Sequence, residues 1–179
     1  MACALLLTAI AVAKRGNVPI QLQAKLTAKI ASYDRNMAER VSSGARVLVL
    51  QHANSNSQRL ARRIQSALRD QPSFAGAKLR VDIQTFSTAA ALAERVESDK
   101  IAMVYFAGSF DSYAREIQRA LKGVSVLTVT TELSAVRKGI VLGLGLISGR
   151  PKLYLNLPQA HAQHVQIAPR LLKLMVVYR

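Results

Sequence analysis

Arg46-Val47-Leu48-Val49-Leu50 and Ile101-Ala102-Met103-Val104-Tyr105-Phe106 decide the fold of this chain. Each is a short run of strand-forming residues with no polar alternation, the pattern of a strand covered on both faces. Between and beyond these runs the apolar spacing changes to three and four. After the loop His52 to Ser57, a helix capped by Ser57 places Leu60, Ile64, Ala67 and Leu68 on its buried stripe and Arg59, Arg62, Arg63 and Arg69 towards solvent. Leu79 to Thr85 reads as a second strand, Thr88 to Glu97 as a helix capped by Ser87 or Thr88, and Val124 to Val129 as a fourth strand. A helix opened by Gly108-Ser109 and running to Leu121 turns Tyr113, Ile117, Ala120 and Leu121 inward and Arg115, Arg119 and Lys122 outward. Strands alternating with helices of this length imply right-handed βαβ crossovers.

The flanks complete the plan. Pro19 starts a helix over 19–33 whose face carries Leu22, Leu26, Ile30 and Tyr33, and 34–44 is a polar loop. Downstream, 139–147 and 152–156 form an antiparallel hairpin around Ser148-Gly149-Arg150-Pro151, followed by helices over 157–165 and 169–175. The expected class is α/β: a mostly parallel, mixed sheet covered by helices, with flavodoxin-like βαβ alternation and a C-terminal β-hairpin and helices.

A chain of 179 residues, half of them apolar, suits one domain and excludes disorder. Cys3 is the single cysteine, so no intrachain disulfide or cysteine metal site can form. Residues 4–13 are an uncharged apolar run ending in Ala11-Val12-Ala13, and Lys14-Arg15 follows. Ten residues are too few to span roughly 30 Å of hydrocarbon. The run therefore reads as a signal peptide, residues 1–13, cleaved after Ala13, with 14–179 as one domain in the periplasm. No basic residue precedes the run, unlike most export signals, and a buried first strand or helix is the competing reading. Cleavage would remove Cys3 and leave the net charge of +15 untouched. Outside the cytoplasm its counter-charges are anionic phospholipid, lipopolysaccharide, cell-wall polymers or an acidic protein.

Loops after parallel strands emerge along one edge, where ligands of such folds sit. That edge gathers His52, Asn54, Ser55, Ser57, Ser87, Thr88, Gly108, Ser109, Thr130 and Thr131, which can receive an anion or a small polar ligand. The same residue types are what helix starts require, so capping alone also accounts for the set. Nothing points to an enzyme. Asp70, Glu94, Glu97 and Glu116 lie among basic residues on helices, no serine stands in a nucleophile elbow, and His52 reads as a loop residue. His161 and His164 lack a third ligand and read as a surface pair, so no metal is expected. Gly143, Gly145 and Gly149 do not form a dinucleotide loop, no phosphate loop is present, and no cofactor is expected; the glycines suit a bulge or close packing. The basic faces of 58–69 and 109–122 would suit nucleic acid in a cytoplasmic protein, but Trp is absent, aromatics are sparse and solvated faces are preferred.

The stretch Gly139 to Tyr178 carries a resemblance: a glycine-rich strand, a turn at Gly149-Arg150, a strand ending in Tyr154-Leu155-Asn156-Leu157, a helix, then Arg170-Leu-Leu-Lys-Leu174. This resembles the C-terminal signature of the YfiR-like family of exported bacterial regulatory proteins, and with the upstream helix and strands the likeness covers roughly 22–177. The resemblance implies a periplasmic, non-enzymatic regulator that binds and restrains an inner-membrane signalling protein, typically a diguanylate cyclase of c-di-GMP signalling, or else a histidine kinase. The chain reads Tyr33-Asp34-Arg35-Asn36 where better-known members carry Trp-Pro, and it lacks the cysteines some members pair, so redox control does not transfer. The competing reading is a periplasmic small-ligand-binding component of an uptake or sensing system. Oligomeric state is open, a dimer included.

Overall fold

The protein is described by a computed structural model over residues 18–179; the expected signal peptide, 1–13, lies outside the described residues. In chain order, α1 (Ile20–Ala31) and the one-turn α2 (Met37–Arg40) precede β1 (Ala45–Gln51), α3 (Ser55–Arg69), β2 (Leu79–Thr85) and α4 (Ala89–Ser98). Next come β3 (Met103–Ala107), α5 (Ala114–Ala120), β4 (Leu127–Thr130) and α6 (Leu133–Arg137). The chain ends with β5 (Leu142–Ile147), β6 (Arg150–Asn156), α7 (Leu157–Ala162), α8 (Pro169–Leu172) and β7 (Met175–Tyr178).

The seven strands form one sheet in the order β2-β1-β3-β4-β5-β6-β7. β1 to β5 are mutually parallel, β6 turns back antiparallel to β5, and β7 runs parallel to β6. The expected mixed α/β sheet with a C-terminal hairpin is therefore present. Strand alternation sends Val47 and Val49 into the core beneath α1 and α3, and Leu48 and Leu50 into the core beneath α4 and α5. Burial of both sides of β1 and β3 is what made them read as continuous apolar runs.

Several local expectations are corrected. The loop 34–44 contains α2, whose Met37 is buried. α1 is rotated so that Gln23, Thr27 and Ile30 are buried while Leu22 and Leu26 are only half-covered. The cause is polar: the Tyr105 hydroxyl donates to Gln23 Oε1 at 2.5 Å, and Gln23 Nε2 donates to the Val18 carbonyl at 2.5 Å. Helix α5 begins at Ala114 rather than Gly108, since the intervening residues form a turn, and Tyr113 is 40% exposed rather than inward. Helix α6 was not anticipated, and Met175 opens β7 instead of ending a helix. Gly143 does serve close packing: a Cβ there would lie 2.6 Å from Val136 Cγ2, so only glycine lets α6 sit on β5.

The C-terminal third is tied by buried polar groups. Asn156 Oδ1 accepts from the Gln159 amide at 3.0 Å, capping α7, while Nδ2 donates to the Val136 carbonyl at 2.8 Å. Gln163 Nε2 donates to the Val126 carbonyl, and Gln163 Oε1 accepts from Thr128 Oγ1 and Gln159 Nε2. Asp34, with a fully buried side chain, pairs with Arg40 and accepts the Gln166 amide at 2.8 Å. Arg40 also donates to the His164 carbonyl at 2.6 Å and to Ser125 Oγ at 2.9 Å. The segment that departs from the Trp-Pro pattern is thus a clasp between the end of α1 and the loop after α7.

Candidate functional site at the carboxyl edge

In the order β2-β1-β3-β4, the helix after β1 and the helix after β3 leave to opposite faces of the sheet, so the two loops diverge at the β1–β3 boundary. Such a switch point is where open α/β sheets place ligands. Here it is packed by His52, the residue after β1. Its backbone N–H donates to Ser57 Oγ at 2.8 Å, and that hydroxyl donates to the Ala107 carbonyl at the end of β3 at 2.5 Å. Gly108 turns away with φ +108, and a Cβ there would stand 3.3 Å from Ser57 Oγ. The conformation and the space both favour glycine.

The His52 ring stacks on Phe110 at 4.1 Å with an interplanar angle of 18°. Phe86, which follows β2, meets Phe110 edge-on at 5.5 Å and Tyr113 at 4.9 Å; Phe106 meets Phe110 at 5.0 Å. Phe106 and Phe110 are buried, whereas Phe86 is half-covered and Tyr113 is open to solvent. Four of the chain's nine Phe and Tyr side chains therefore gather at one edge around a histidine. His52 Nε2 lies 2.8 Å from the Ser109 carbonyl. A carbonyl only accepts, so Nε2 is the donor in this contact and Nδ1 is the ring nitrogen it leaves unused. Beside the cluster, Asp111 pairs with Lys138 at the end of α6. Its carboxyl is held below the usual range, first of all by the hydrogen bond from Lys138.

Of the residues singled out from sequence, His52, Ser57, Gly108 and Ser109 come together here. The cap of α3 is Asn54, whose Oδ1 accepts from the Ser57 amide at 2.9 Å; Ser57 itself lies inside the helix and bridges two strands' ends. Thr88 caps α4 by accepting from the Ala91 amide at 3.1 Å, and Thr130 Oγ1 accepts the Glu132 amide at 3.0 Å. Ser55 and Ser87 are exposed, and Thr131 is half-covered one strand further along the edge. Two of the polar set, Asn54 and Thr88, thus cap helices. Phe86, Phe110 and Tyr113 were missed as site residues; the available signal was two phenylalanines placed just after strands that end on the same edge.

The arrangement offers stacking and one imidazole nitrogen. Ser57 Oγ is engaged in both directions, and among the described hydrogen bonds no carboxylate orients His52. His161 is exposed on α7, while His164 lies beyond its end with φ 54. Among the described residues no group of three or more His, Cys, Asp and Glu could hold a metal ion. A cleft of about 480 Å³ opens at the opposite edge between Ser42, Glu97, Lys100 and Ser125.

Fold order and edge define the class: a doubly wound α/β domain with an aromatic-lined switch point and an added antiparallel hairpin. The chain belongs to the YfiR/HmsC-like family, whose pattern it matches over residues 20–175. No curated protein matches it in sequence. Among solved structures, it is similar to the ABC domain from Streptococcus pneumonia in complex with L-Trp, with TM-score 0.62 and 10% identity, over 87% of this chain and 62% of that one. A ligand-free, open substrate-binding protein with adhesive properties from Clostridium difficile gives TM-score 0.61 and 10% identity over 80% and 57% of the two chains. A conserved domain protein from Vibrio cholerae gives 0.56 and 12% over 90% and 60%. The chain spans about three-fifths of each of these proteins, and the likenesses concern the fold alone.

Proposed function

We propose that this chain is a non-enzymatic regulatory module of the periplasm, which binds an inner-membrane signalling protein of diguanylate cyclase or histidine kinase type and holds it inactive. The observation that carries this reading is the family match over nearly the whole described chain. The carboxyl edge agrees with it: Ser57 Oγ is engaged as both donor and acceptor, and His52 is held by its Nε2 contact to the Ser109 carbonyl with no described carboxylate to orient it. No described helix is long and apolar enough to cross a membrane, so contact with a membrane protein would be made from outside the bilayer. The proposed organisation is a leader, 1–13, removed after Ala13, and one domain over 14–179. Cell fractionation with mass analysis of the N-terminus tests it. The reading expects a periplasmic chain beginning at Lys14; an unprocessed chain in the cytosol overturns it.

A second reading is favoured by the aromatic cluster and by the L-Trp named for one structural neighbour: a small planar ligand held against Phe86 and Tyr113. A thermal-shift screen with L-Trp, other aromatic amino acids and small anions checks it. Stabilisation that Tyr113→Ala abolishes supports it, and no stabilisation by any compound rejects it.

A further inference from the structure

α1 and α3 pack side by side over the same face of the sheet. Their outward residues are neutral polar groups and six cations: Lys25 and Lys29 from α1, and Arg59, Arg62, Arg63 and Arg69 from α3. Neither helix contains an aspartate or glutamate; Asp70 stands at the C-cap of α3, and Asp34, beyond the end of α1, is buried against Arg40. Arg59 and Arg69 hold Asn56 and the Val81 carbonyl, while Lys25, Lys29, Arg62 and Arg63 form no salt bridge among the described residues. The opposite layer is different: on α4 and α5, exposed Glu94, Glu97 and Glu116 interleave with Arg95, Arg115 and Arg119. The α1–α3 face therefore carries six cations and no carboxylate, whereas α4 and α5 match three cations with three carboxylates; 133–179 is a second acid-free stretch, with seven cations.

That face has cations but no apolar anchor. The exposed large hydrophobic residues are Tyr113, Ile147 and Leu174, none of them on α1 or α3. Protein interfaces draw most of their affinity from buried aromatic, aliphatic and arginine anchors seated in pockets. A two-helix face of flexible lysines and arginines instead complements a fluid lattice of negative groups, where each basic side chain finds a phosphate without a fixed geometry. We infer that the α1–α3 face docks on an anionic phospholipid surface, orienting the domain with its carboxyl edge and C-terminal hairpin free. The inference goes beyond the regulatory reading and stands on charge placement alone.

Sedimentation of the purified protein with vesicles of phosphatidylglycerol and phosphatidylcholine, against phosphatidylcholine alone, tests it. Binding to the anionic vesicles only is expected, with loss on raising salt from about 0.1 M to about 1 M, where the screening length falls from about 10 Å to about 3 Å. R62Q/R63Q weakens binding about thirtyfold, taking the usual contribution of a basic residue near an anionic surface. R115Q/R119Q, which removes the same charge from the other layer, leaves it within about twofold. Equal loss from both double variants would reduce the effect to net charge and overturn the inference. So would absent vesicle binding, or tighter binding to polyglutamate or duplex DNA than to the vesicles at the same salt. Thermal unfolding of each variant at the parent's temperature establishes that folded proteins are being compared.

Discussion

β1 and β3 bury Val47, Leu48, Val49, Leu50, Met103 and Val104 with the helices on either side, and apolar contact dominates there. Around β5, β6 and β7 the helices are single turns or little more, and the ties are Asn156, Gln159, Gln163, Thr128 and the Asp34–Arg40 clasp. The difference teaches how a short helix is kept in place when it has too little apolar surface to hold itself. A buried hydrogen bond adds modest net stability when made, but an unmatched partner costs more, so these ties specify position strongly. The two regions should therefore respond differently to small changes that remove a single polar atom.

The sharpest break is at the clasp. Asp34→Asn leaves Arg40 buried without its counter-charge and is expected to cost about 3–5 kcal/mol in urea unfolding, whereas replacing both with Asp34→Leu and Arg40→Met costs less than the single change. In the apolar region, Leu50→Ala costs about 3 kcal/mol as a cavity substitution, with thermal and urea midpoints moving together. Asn156→Ala removes both the α7 cap and the donor to Val136, for about 2 kcal/mol. It should also raise amide exchange in α6 and α7 without doing so in β1. If Asn156→Ala instead loosens β1 as much as α7, the division between the regions fails.

The smallest expected effect is pH-dependent and belongs to the carboxyl edge. Asp111 has its pKa lowered in the folded state, so its pairing with Lys138 adds stability above the unfolded carboxylate value of about 3.9. That part is lost as pH falls through the lower folded value. Asp111→Asn should flatten the stability profile below about pH 4 and leave it parallel to the parent at neutral pH. Tyr105 runs the other way, because burial pushes its hydroxyl well above the usual value; it stays protonated and keeps donating to Gln23.

Legibility followed the same division. β1 and β3 stand where the Arg46 to Leu50 and Ile101 to Phe106 runs put them, because a doubly covered strand leaves an unbroken apolar record. The hairpin was legible from its glycines and turn. α1 was found but its face was not, since no periodicity rule expects Gln23 to be buried rather than Leu22; a tyrosine 82 residues away decides that. α6 is five residues long and β7 four, too short for a periodic signal. At the carboxyl edge, hydroxyl and amide residues were legible but their roles were not, because capping and ligand binding use the same groups. The aromatic cluster depends on a turn over 108–113 that sets Phe110 under His52, and the spacing of a continuous helix had placed those residues differently.

The central claim is that this chain acts by holding a membrane signalling protein. The most direct measurement is affinity isolation of the tagged full chain from native membranes in mild detergent, with quantitative mass spectrometry of what remains bound. The account predicts one inner-membrane signalling protein recovered in near-stoichiometric amount, with its signalling output raised when the chain is deleted. Recovery of the chain without any such protein, together with an output unchanged by deletion, would contradict it.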